Sequence, residues 1–277
     1  MDIKSKPYRS KDMGNQLALV PRYPFFKRIK HLLLCHKKCV VSRNFNELSD
    51  FIYDLPSRFD HEGEVIFKVR NELRRFVIDG KAYIVKSYCQ PNIINRVAYG
   101  SFRPSKATRS YVYALRLLDA EIGTPAPVGY CETYKRGLLD RSFFVSRESD
   151  CKHEFRELLN DPEYPNRDNI IKAVAEFAAK LHDRNFLPMD FSSGNILFED
   201  NGGEDIVLEM VDLNRMRFRI INMFQGCASF HRLDLEERGL RLLASSYARV
   251  RNMDSNDCQE IVLNNRDSRM KNYGNIV

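Results

Sequence analysis

The sequence predicts an α+β protein with a small antiparallel sheet in its first part and a mainly helical second part. Three strand-like runs follow one another, EVIFKVR, ELRRFVID and KAYIVKSY, and Asp79-Gly80 between the last two is a strong hairpin signal. Apolar residues at helical spacing predict a long helix over 169–184. We therefore expect two lobes, over 44–148 and 149–277, after a basic extension over 1–43.

The other elements of the first lobe follow from local signals. NELSDFIYDLP reads as a short helix over 46–56 that is closed by Pro56. Ser105 can cap an amphipathic helix over 105–121. TPAPVGYCE and RSFFVSRES are two more strand-like runs, which would complete a five-stranded sheet. In the second lobe, RFRIINMFQG, LDLEERGLRLLASSYARVR and the residues around CQEIVL are predicted to be helical.

The positive charge of the chain is concentrated at its start. The formal net charge is +7, and residues 1–43 hold eleven lysines and arginines against two aspartates, which leaves −2 for the rest. Residues 22–40 mix these cations with apolar residues at helical spacing, the pattern of a membrane-surface helix. A helix or strand packed on the main body, or a tail without a contact role, is the alternative.

Composition excludes several other classes. No run of eighteen apolar residues is present, and the basic N-terminus lacks the apolar core of a signal peptide. The seven cysteines are scattered, which predicts reduced thiols in a cytoplasmic protein. A zinc site at Cys35 and Cys39 with His31 and His36 lacks a second ligand pair of the right spacing. We expect no nucleic-acid binding, because the excess charge is confined to the N-terminal extension.

The stretch from His182 to Met216 carries the residues that predict chemistry. Asp190 is followed by Asn195 in DFSSGN, and the runs ILFE and DIVLEMVD surround the turn DNGGE. A hairpin returns to its starting point, so Asn195 at its entry and Asp212 at its exit should lie side by side. Amide and carboxylate oxygens suit Mg²⁺. This order of residues is the catalytic and metal-binding signature of the protein-kinase-like fold.

Lys86 lies on the third of the predicted strands, in AYIVKSY. Its place in the sheet matches that of the kinase lysine that contacts the α- and β-phosphates of ATP. A lysine in a strand is more often a solvated edge charge, so its interpretation depends on the Asp190–Asp212 block.

Taken together, the chain resembles a protein-kinase-like two-lobe fold over roughly 45–265, and within it the bacterial lipopolysaccharide core kinases that act on Kdo or heptose. The resemblance rests on FKVRNELRRFVIDGKAYIVKSY, on PNIINRVAYGSFRPSKATRSY with TPAPVGY, and on DFSSGNILF with DLNRM. Ser192 stands where protein kinases place a lysine, and the segment after Asp212 is short. Both features argue against a peptide substrate.

The resemblance implies a phosphotransferase that uses ATP and Mg²⁺. Asp190 would orient the sugar hydroxyl and accept its proton, Asn195 and Asp212 would hold Mg²⁺, and Lys86 would position the ATP phosphates. The partner would be a lipopolysaccharide core or lipid A precursor glycolipid at the inner face of the inner membrane, with residues 22–40 against anionic lipid. A cationic stretch at Arg96, Arg103, Lys106 and Arg109 would meet acidic groups of the substrate or be a solvated face.

Three departures from the family pattern leave alternatives open. There is no G-x-G-x-x-G, Pro188-Met189 stands in place of His-Arg, and Val112 occupies the position of the helix glutamate that pairs with the lysine. Asp119 and Glu121 are substitutes for that glutamate only if the helix is displaced. An aminoglycoside-type kinase, an atypical protein kinase and a weakly active pseudokinase or binding module therefore remain alternatives.

Overall fold

The computed structural model describes residues 36–90 and 103–274, with side chains described up to residue 266. The described residues fall into two compact units. The first holds the chain up to Glu121 together with Ala126–Glu148, and the second holds Ile122–Pro125 together with the chain from Ser149. Most of the N-terminal extension, Arg96 and the PNIINRVAYG segment lie outside the described residues.

The first unit is built on an antiparallel sheet of six strands with the order β1-β5-β6-β4-β3-β2. The strands are β1 (His36–Val41), β2 (Glu64–Lys68), β3 (Glu72–Ile78), β4 (Lys81–Ser87), β5 (Pro127–Lys135) and β6 (Leu138–Arg147). The Asp79-Gly80 hairpin is confirmed, because β3 pairs with β4 from Ile78↔Lys81 to Glu72↔Ser87 and both turn residues have positive φ. The five predicted strands are present, and β1 is an addition to them.

For residues 36–41, the helix predicted over 22–40 was wrong, and the alternative of a strand packed on the main body is confirmed by β1. Residues 36–41 pair along β5 from His36↔Tyr134 to Val41↔Gly129, so an open sheet edge decides their conformation in place of the helical spacing. The same register sets Cys39 directly opposite Cys131, and the two form a disulfide. The expectation that all seven thiols are reduced was therefore wrong for this pair.

A helix covers each face of the sheet, and on one face it is α1 (Ser49–Arg58), preceded by a short 3₁₀ helix at Arg43–Leu48. Phe51, Ile52 and Leu55 of α1 are buried in one cluster with Phe76, Tyr83 and Val85 of the sheet. The prediction that Pro56 closes this helix was wrong, since α1 continues to Arg58. Burial of its apolar face stabilises the helix by more than the one hydrogen bond that proline removes.

On the other face lies α2 (Lys106–Asp119), the amphipathic helix predicted over 105–121. The predicted cap is confirmed, since the Ser105 hydroxyl accepts a hydrogen bond from the Thr108 amide at 3.1 Å. The Thr108 hydroxyl in turn donates to the buried Glu132 of β5 at 2.5 Å. These two contacts fix the start of α2 against the sheet.

The second unit contains five described helices: α3 (Glu157–Asn160), α4 (Arg167–Asp183), α5 (Met223–Ala228), α6 (Glu237–Val250) and α7 (Ser255–Gly274). Five short strands accompany them: β7 (His153–Glu154) before α3, and β8 (Phe186–Pro188), β9 (Ile196–Asp200), β10 (Ile206–Met210) and β11 (Met216–Phe218) between α4 and α5. The predicted helix over 169–184 is α4, and its apolar face is buried against α6. None of the described helices has the length and apolar character that crossing a bilayer requires.

The prediction of a helix over RFRIINMFQG was wrong for the first half of that segment. Met216–Phe218 instead form β11, which pairs with β8 through Met216↔Pro188 and Phe218↔Phe186. A helix begins only at Met223, where the Asn222 side chain accepts from the Gln225 amide at 2.9 Å. Pairing with a distant strand overrides the local helical spacing.

A buried polar network joins α4 to α6. His182 is 2% exposed, and its Nδ1 lies 2.8 Å from the Tyr247 hydroxyl, which also accepts a 2.6 Å hydrogen bond from Arg251. Because an arginine can only donate, the Tyr247 oxygen accepts from Arg251 and the proton of the hydroxyl stays available for the contact with His182. Burial, with the nearby charge of Arg251 as a smaller contribution, lowers the pKa of His182 to about 3.

This network predicts a loss of stability in acid. The unfolded chain protonates His182 near its ordinary pKa while the folded chain does not, so stability falls as the pH drops from about 6.5 towards about 3. The slope from this one group is at most about 1.4 kcal/mol per pH unit. Urea unfolding of the wild-type protein and His182→Gln at several pH values measures it. We expect a shallower slope for the variant, and parallel curves would contradict the argument.

Candidate active site

The centre of the candidate site is the loop from Asp190 to Asn195, between β8 and β9. Residues Ser193–Asn195 form one 3₁₀ turn, with the Asn195 amide donating to the Ser192 carbonyl at 2.9 Å. The Asn195 side chain donates from Nδ2 to the Asp190 carbonyl at 3.0 Å, which closes the loop on itself. The amide oxygen of Asn195 is thereby turned away from Asp190.

The hairpin predicted after this loop is confirmed. Strands β9 and β10 pair from Met210↔Ile196 to Ile206↔Asp200, and the Val211 amide donates to the Asn195 carbonyl at 2.9 Å. Asp212, the next residue, therefore leaves the hairpin beside Asn195. The structure thus brings together three of the four predicted site residues, Asp190, Asn195 and Asp212.

Asp212 has an unusual backbone conformation. Its φ is +56°, in the left-handed region that few residues other than glycine adopt. Its carboxylate accepts a 2.5 Å hydrogen bond from Nδ2 of the buried Asn214. This contact fixes the side chain through one oxygen, Oδ1. An amide oxygen at 195 and a carboxylate at 212 form a donor set that fits a hard divalent cation.

Two arginines that the sequence reasoning missed flank the loop. Nη1 of Arg232, from a 3₁₀ turn at Ser229–Arg232, lies 2.9 Å from Oδ1 of Asp190. The Arg156 side chain lies across Gly194, and a Cβ at position 194 would overlap Nη2 of Arg156. The backbone amide of Arg156 donates to the Ser193 carbonyl at 3.1 Å. No local pattern marks either arginine, because each reaches the loop only through the fold of the second unit.

Arg156 also has an acidic neighbour. Its Nε lies 2.5 Å from Oε2 of Glu154, and both side chains are about half exposed. An exposed pair of this kind adds little to stability, typically below about 1 kcal/mol. The guanidinium is therefore available to a stronger anionic partner at the surface of the loop.

Lys86 belongs to the first unit, on β4 between Leu73 of β3 and Phe144 of β6. Because Val85 packs towards α1, the alternation of the strand turns Lys86 to the opposite face, on which α2 packs. Its Nζ lies 5.5 Å from the centre of the Tyr88 ring. The Tyr88 hydroxyl is 2.6 Å from the Ser110 hydroxyl, which ties the end of β4 to α2.

The residues considered as substitutes for the helix glutamate occupy the end of α2 and beyond. Val112 packs on the apolar cluster of Tyr88, Tyr111 and Tyr130. Asp119 is the last residue of α2, and Glu121 lies past it with a positive φ of 57°. The carboxylate that does hold α2 is Glu132 of β5, which the sequence reasoning did not identify.

Metal clusters of other kinds are not found within the part of the chain that the structure describes. No group of three or more histidine, cysteine, aspartate or glutamate side chains there could hold a metal ion. The zinc hypothesis involves His31 and Cys35, which lie outside the described residues, and Cys39 is engaged in the disulfide.

A lysine in an antiparallel sheet, followed by a helical unit with an Asp–Asn loop, a hairpin and a second Asp, defines a phosphotransferase of the protein-kinase-like fold. The chain belongs to the lipopolysaccharide kinase (Kdo/WaaP) family, whose model matches residues 68–253. Membership of this family makes it a kinase that acts on a sugar hydroxyl.

A solved structure covering most of the chain agrees with this fold. The chain is similar to WaaP in complex with acyl carrier protein, with a TM-score of 0.59 and 18% identity over 83% of this chain and 98% of that chain. It is also similar to the ternary complex of APH(2")-IIa with streptomycin and ATP, with a TM-score of 0.48 and 13% identity over 82% and 93% of the two chains. A comparison with curated proteins finds no match.

Proposed function

We propose that the protein transfers the γ-phosphate of ATP to a hydroxyl of Kdo or heptose in the lipopolysaccharide inner core. The observation that carries this proposal is the closed loop that holds Asp190 beside Asn195 and Asp212. The acceptor would be a core or lipid A precursor glycolipid, met at the inner face of the cytoplasmic membrane. Family membership supports the substrate class, and the particular sugar is our inference from it.

Each site residue has one task in this reaction. Asp190 orients the sugar hydroxyl and accepts its proton as the oxygen bonds to the γ-phosphorus and the bond to the β-phosphate oxygen breaks. Asn195 and Asp212 would hold Mg²⁺, which supplies charge neutralisation on the phosphates when bound. Lys86 would position the phosphates of ATP.

The face of the sheet that carries Lys86 also suits a nucleotide base. Leu73, Val77 and Ile84 alternate with the buried residues of β3 and β4, so they share the face of Lys86. Val77 is 61% exposed, so this face offers apolar surface to a ligand. Apolar surface beside the lysine that we assign to the phosphates is consistent with the use of ATP.

Substitution of the three carboxylate and amide residues tests the proposal. Transfer of labelled phosphate from ATP to deep-rough lipopolysaccharide should fall by about a thousandfold or more in Asp190→Asn, Asn195→Ala and Asp212→Asn, because catalysis here is positioning and charge stabilisation. Asp205→Asn, in the exposed turn of the same hairpin, is the matched control and should keep wild-type transfer.

The same assay separates the alternatives. Label on an aminoglycoside or on protein, without label on the glycolipid, would replace the proposed acceptor by a different one. No transfer to any acceptor, with nucleotide binding that is unaffected by Mg²⁺, would favour a pseudokinase. Equal transfer by the wild-type protein and Asp190→Asn would exclude Asp190 as the base.

Arg232 is expected to supply the positive charge that the loop itself lacks, since Ser192 stands where protein kinases have a lysine. The Arg232 guanidinium contacts Oδ1 of Asp190 and has further N–H groups that can donate to the oxygens of the phosphoryl group being transferred. Arg232→Gln should lower turnover about tenfold to a hundredfold. Adding Ser192→Lys to that variant should restore part of the loss.

The control for Arg232 is Arg241→Gln, which removes another exposed arginine bonded to a carboxylate, that of Glu237. This variant should turn over at the wild-type rate. Wild-type turnover by Arg232→Gln, or a complete failure of lysine at 192 to help, would contradict the role given to Arg232.

Arg156 is expected to bind an acidic group of the acceptor, since Kdo carries a carboxylate and the guanidinium lies on the loop. Gly194→Ala should displace this guanidinium while the backbone stays, because the overlapping atoms are the far end of a flexible side chain. Both Gly194→Ala and Arg156→Ala should raise the acceptor KM about tenfold with little change in turnover.

The double variant provides the check on that reasoning. If both substitutions act by removing the same contact, the KM of the double variant should equal that of either single variant. Additive increases, or a loss of turnover at saturating acceptor, would show that the two residues act separately.

A further inference from the structure

The stretch between Asp212 and Asp234 is basic throughout. Residues 213–233 contain four arginines and one histidine, with no aspartate or glutamate. The basic excess of the chain lies at its N-terminus, so this second concentration of positive charge stands out against a body that is slightly acidic. Its position after Asp212 places it directly beyond the candidate site.

The structure turns much of this stretch outward as one surface, which we name the β11–α5 surface. Three arginines and three apolar side chains are exposed, from the residue before β11 through β11 and the following loop to the first turn of α5. They are Arg215, Arg217, Phe218, Arg219, Ile220 and Phe224. Ile220 is 84% exposed and Phe224 is 60% exposed, so most of the surface of these two apolar side chains is in contact with solvent.

This exposure does not come from a loosely held segment. Met216 is buried and pairs with Pro188, and Ile221 is buried with its carbonyl accepting from Arg251 at 3.1 Å. Between these anchors, the Arg219 amide donates to the Asn185 carbonyl at 3.1 Å. The chain is thus held at both ends and in the middle while it presents its side chains outward.

The arginines of the surface differ from others on the same unit. Arg238, Arg241 and Arg249 each form an ion pair with a carboxylate, at 2.6, 2.7 and 2.9 Å. Among the residues that the structure describes, no aspartate or glutamate forms an ion pair with Arg215, Arg217 or Arg219. Three arginines without acidic partners beside exposed apolar side chains indicate an anionic and amphiphilic partner.

We propose that the β11–α5 surface docks on an anionic lipid bilayer. Guanidinium groups bind headgroup phosphates, and the apolar side chains enter the boundary between headgroups and acyl chains. Basic residues near an anionic membrane surface each add to the attraction, so three arginines together with apolar insertion support peripheral binding. An acidic protein would satisfy the arginines, but the mixture with strongly exposed Ile220 and Phe224 favours the bilayer.

The position of this surface gives the docking a consequence for the reaction. The Met189 amide donates to the Arg215 carbonyl at 3.0 Å, so the surface begins next to the residue that precedes Asp190. A membrane-embedded acceptor would then meet Asp190 at the lipid boundary. The docking inference goes beyond the proposed function and is testable without any phosphate transfer.

Co-sedimentation of the full chain with vesicles tests the inference. Vesicles of phosphatidylcholine alone are compared with vesicles that also contain phosphatidylglycerol. The triple variant Arg215→Gln, Arg217→Gln and Arg219→Gln should bind the anionic vesicles at least about tenfold more weakly than the wild-type protein. The matched control is Arg238→Gln, Arg241→Gln and Arg249→Gln, which removes the same charge and should bind as the wild-type protein does.

A second variant, Ile220→Ser with Phe224→Ser, keeps every charge and should also weaken binding to anionic vesicles, because insertion is lost. Thermal unfolding verifies that each variant is folded. Equal binding by the two arginine triples would overturn the inference, because the loss would then not depend on which arginines are removed. Binding to an acidic protein but not to anionic vesicles would overturn it as well.

Discussion

The candidate site depends on two hydrogen bonds that join the loop at 190–195 to itself and to the hairpin that follows. One closes the loop through the Asn195 side chain and the Asp190 carbonyl, and the other joins the Val211 amide to the Asn195 carbonyl. Because both involve Asn195, one residue sets the distance from Asp190 on one side and from Asp212 on the other. Chemistry that works by positioning needs such a shared reference point.

Much of this site could be predicted from sequence because its parts are close along the chain. The Asn-Gly-containing turn predicts the hairpin, and the hairpin alone requires Asn195 and Asp212 to be neighbours. The same holds for Asp79-Gly80 and for the Ser105 cap, since each signal and its structure lie within a few residues. Prediction from sequence succeeds where the residues that form an element lie close along the chain to the signal that predicts it.

The features that escaped prediction depend on partners far along the chain. Strand β1 exists because β5 offers a free edge about ninety positions later, and β11 exists because of β8. Arg156 and Arg232 reach the loop only through the packing of the second unit. The helix α1 passes Pro56 because its buried face holds it in place, which composition near the proline does not reveal.

The left-handed backbone of Asp212 has a consequence for substitution at this position. Glycine would relieve local backbone strain of about 1 kcal/mol. It would also remove the carboxylate that accepts from Nδ2 of the buried Asn214, and an unpaired buried amide costs about 1–3 kcal/mol. The side chain of Asp212 therefore offsets the strain of its own backbone, and the conformation that directs the carboxylate is held by the same hydrogen bond that would be lost with it.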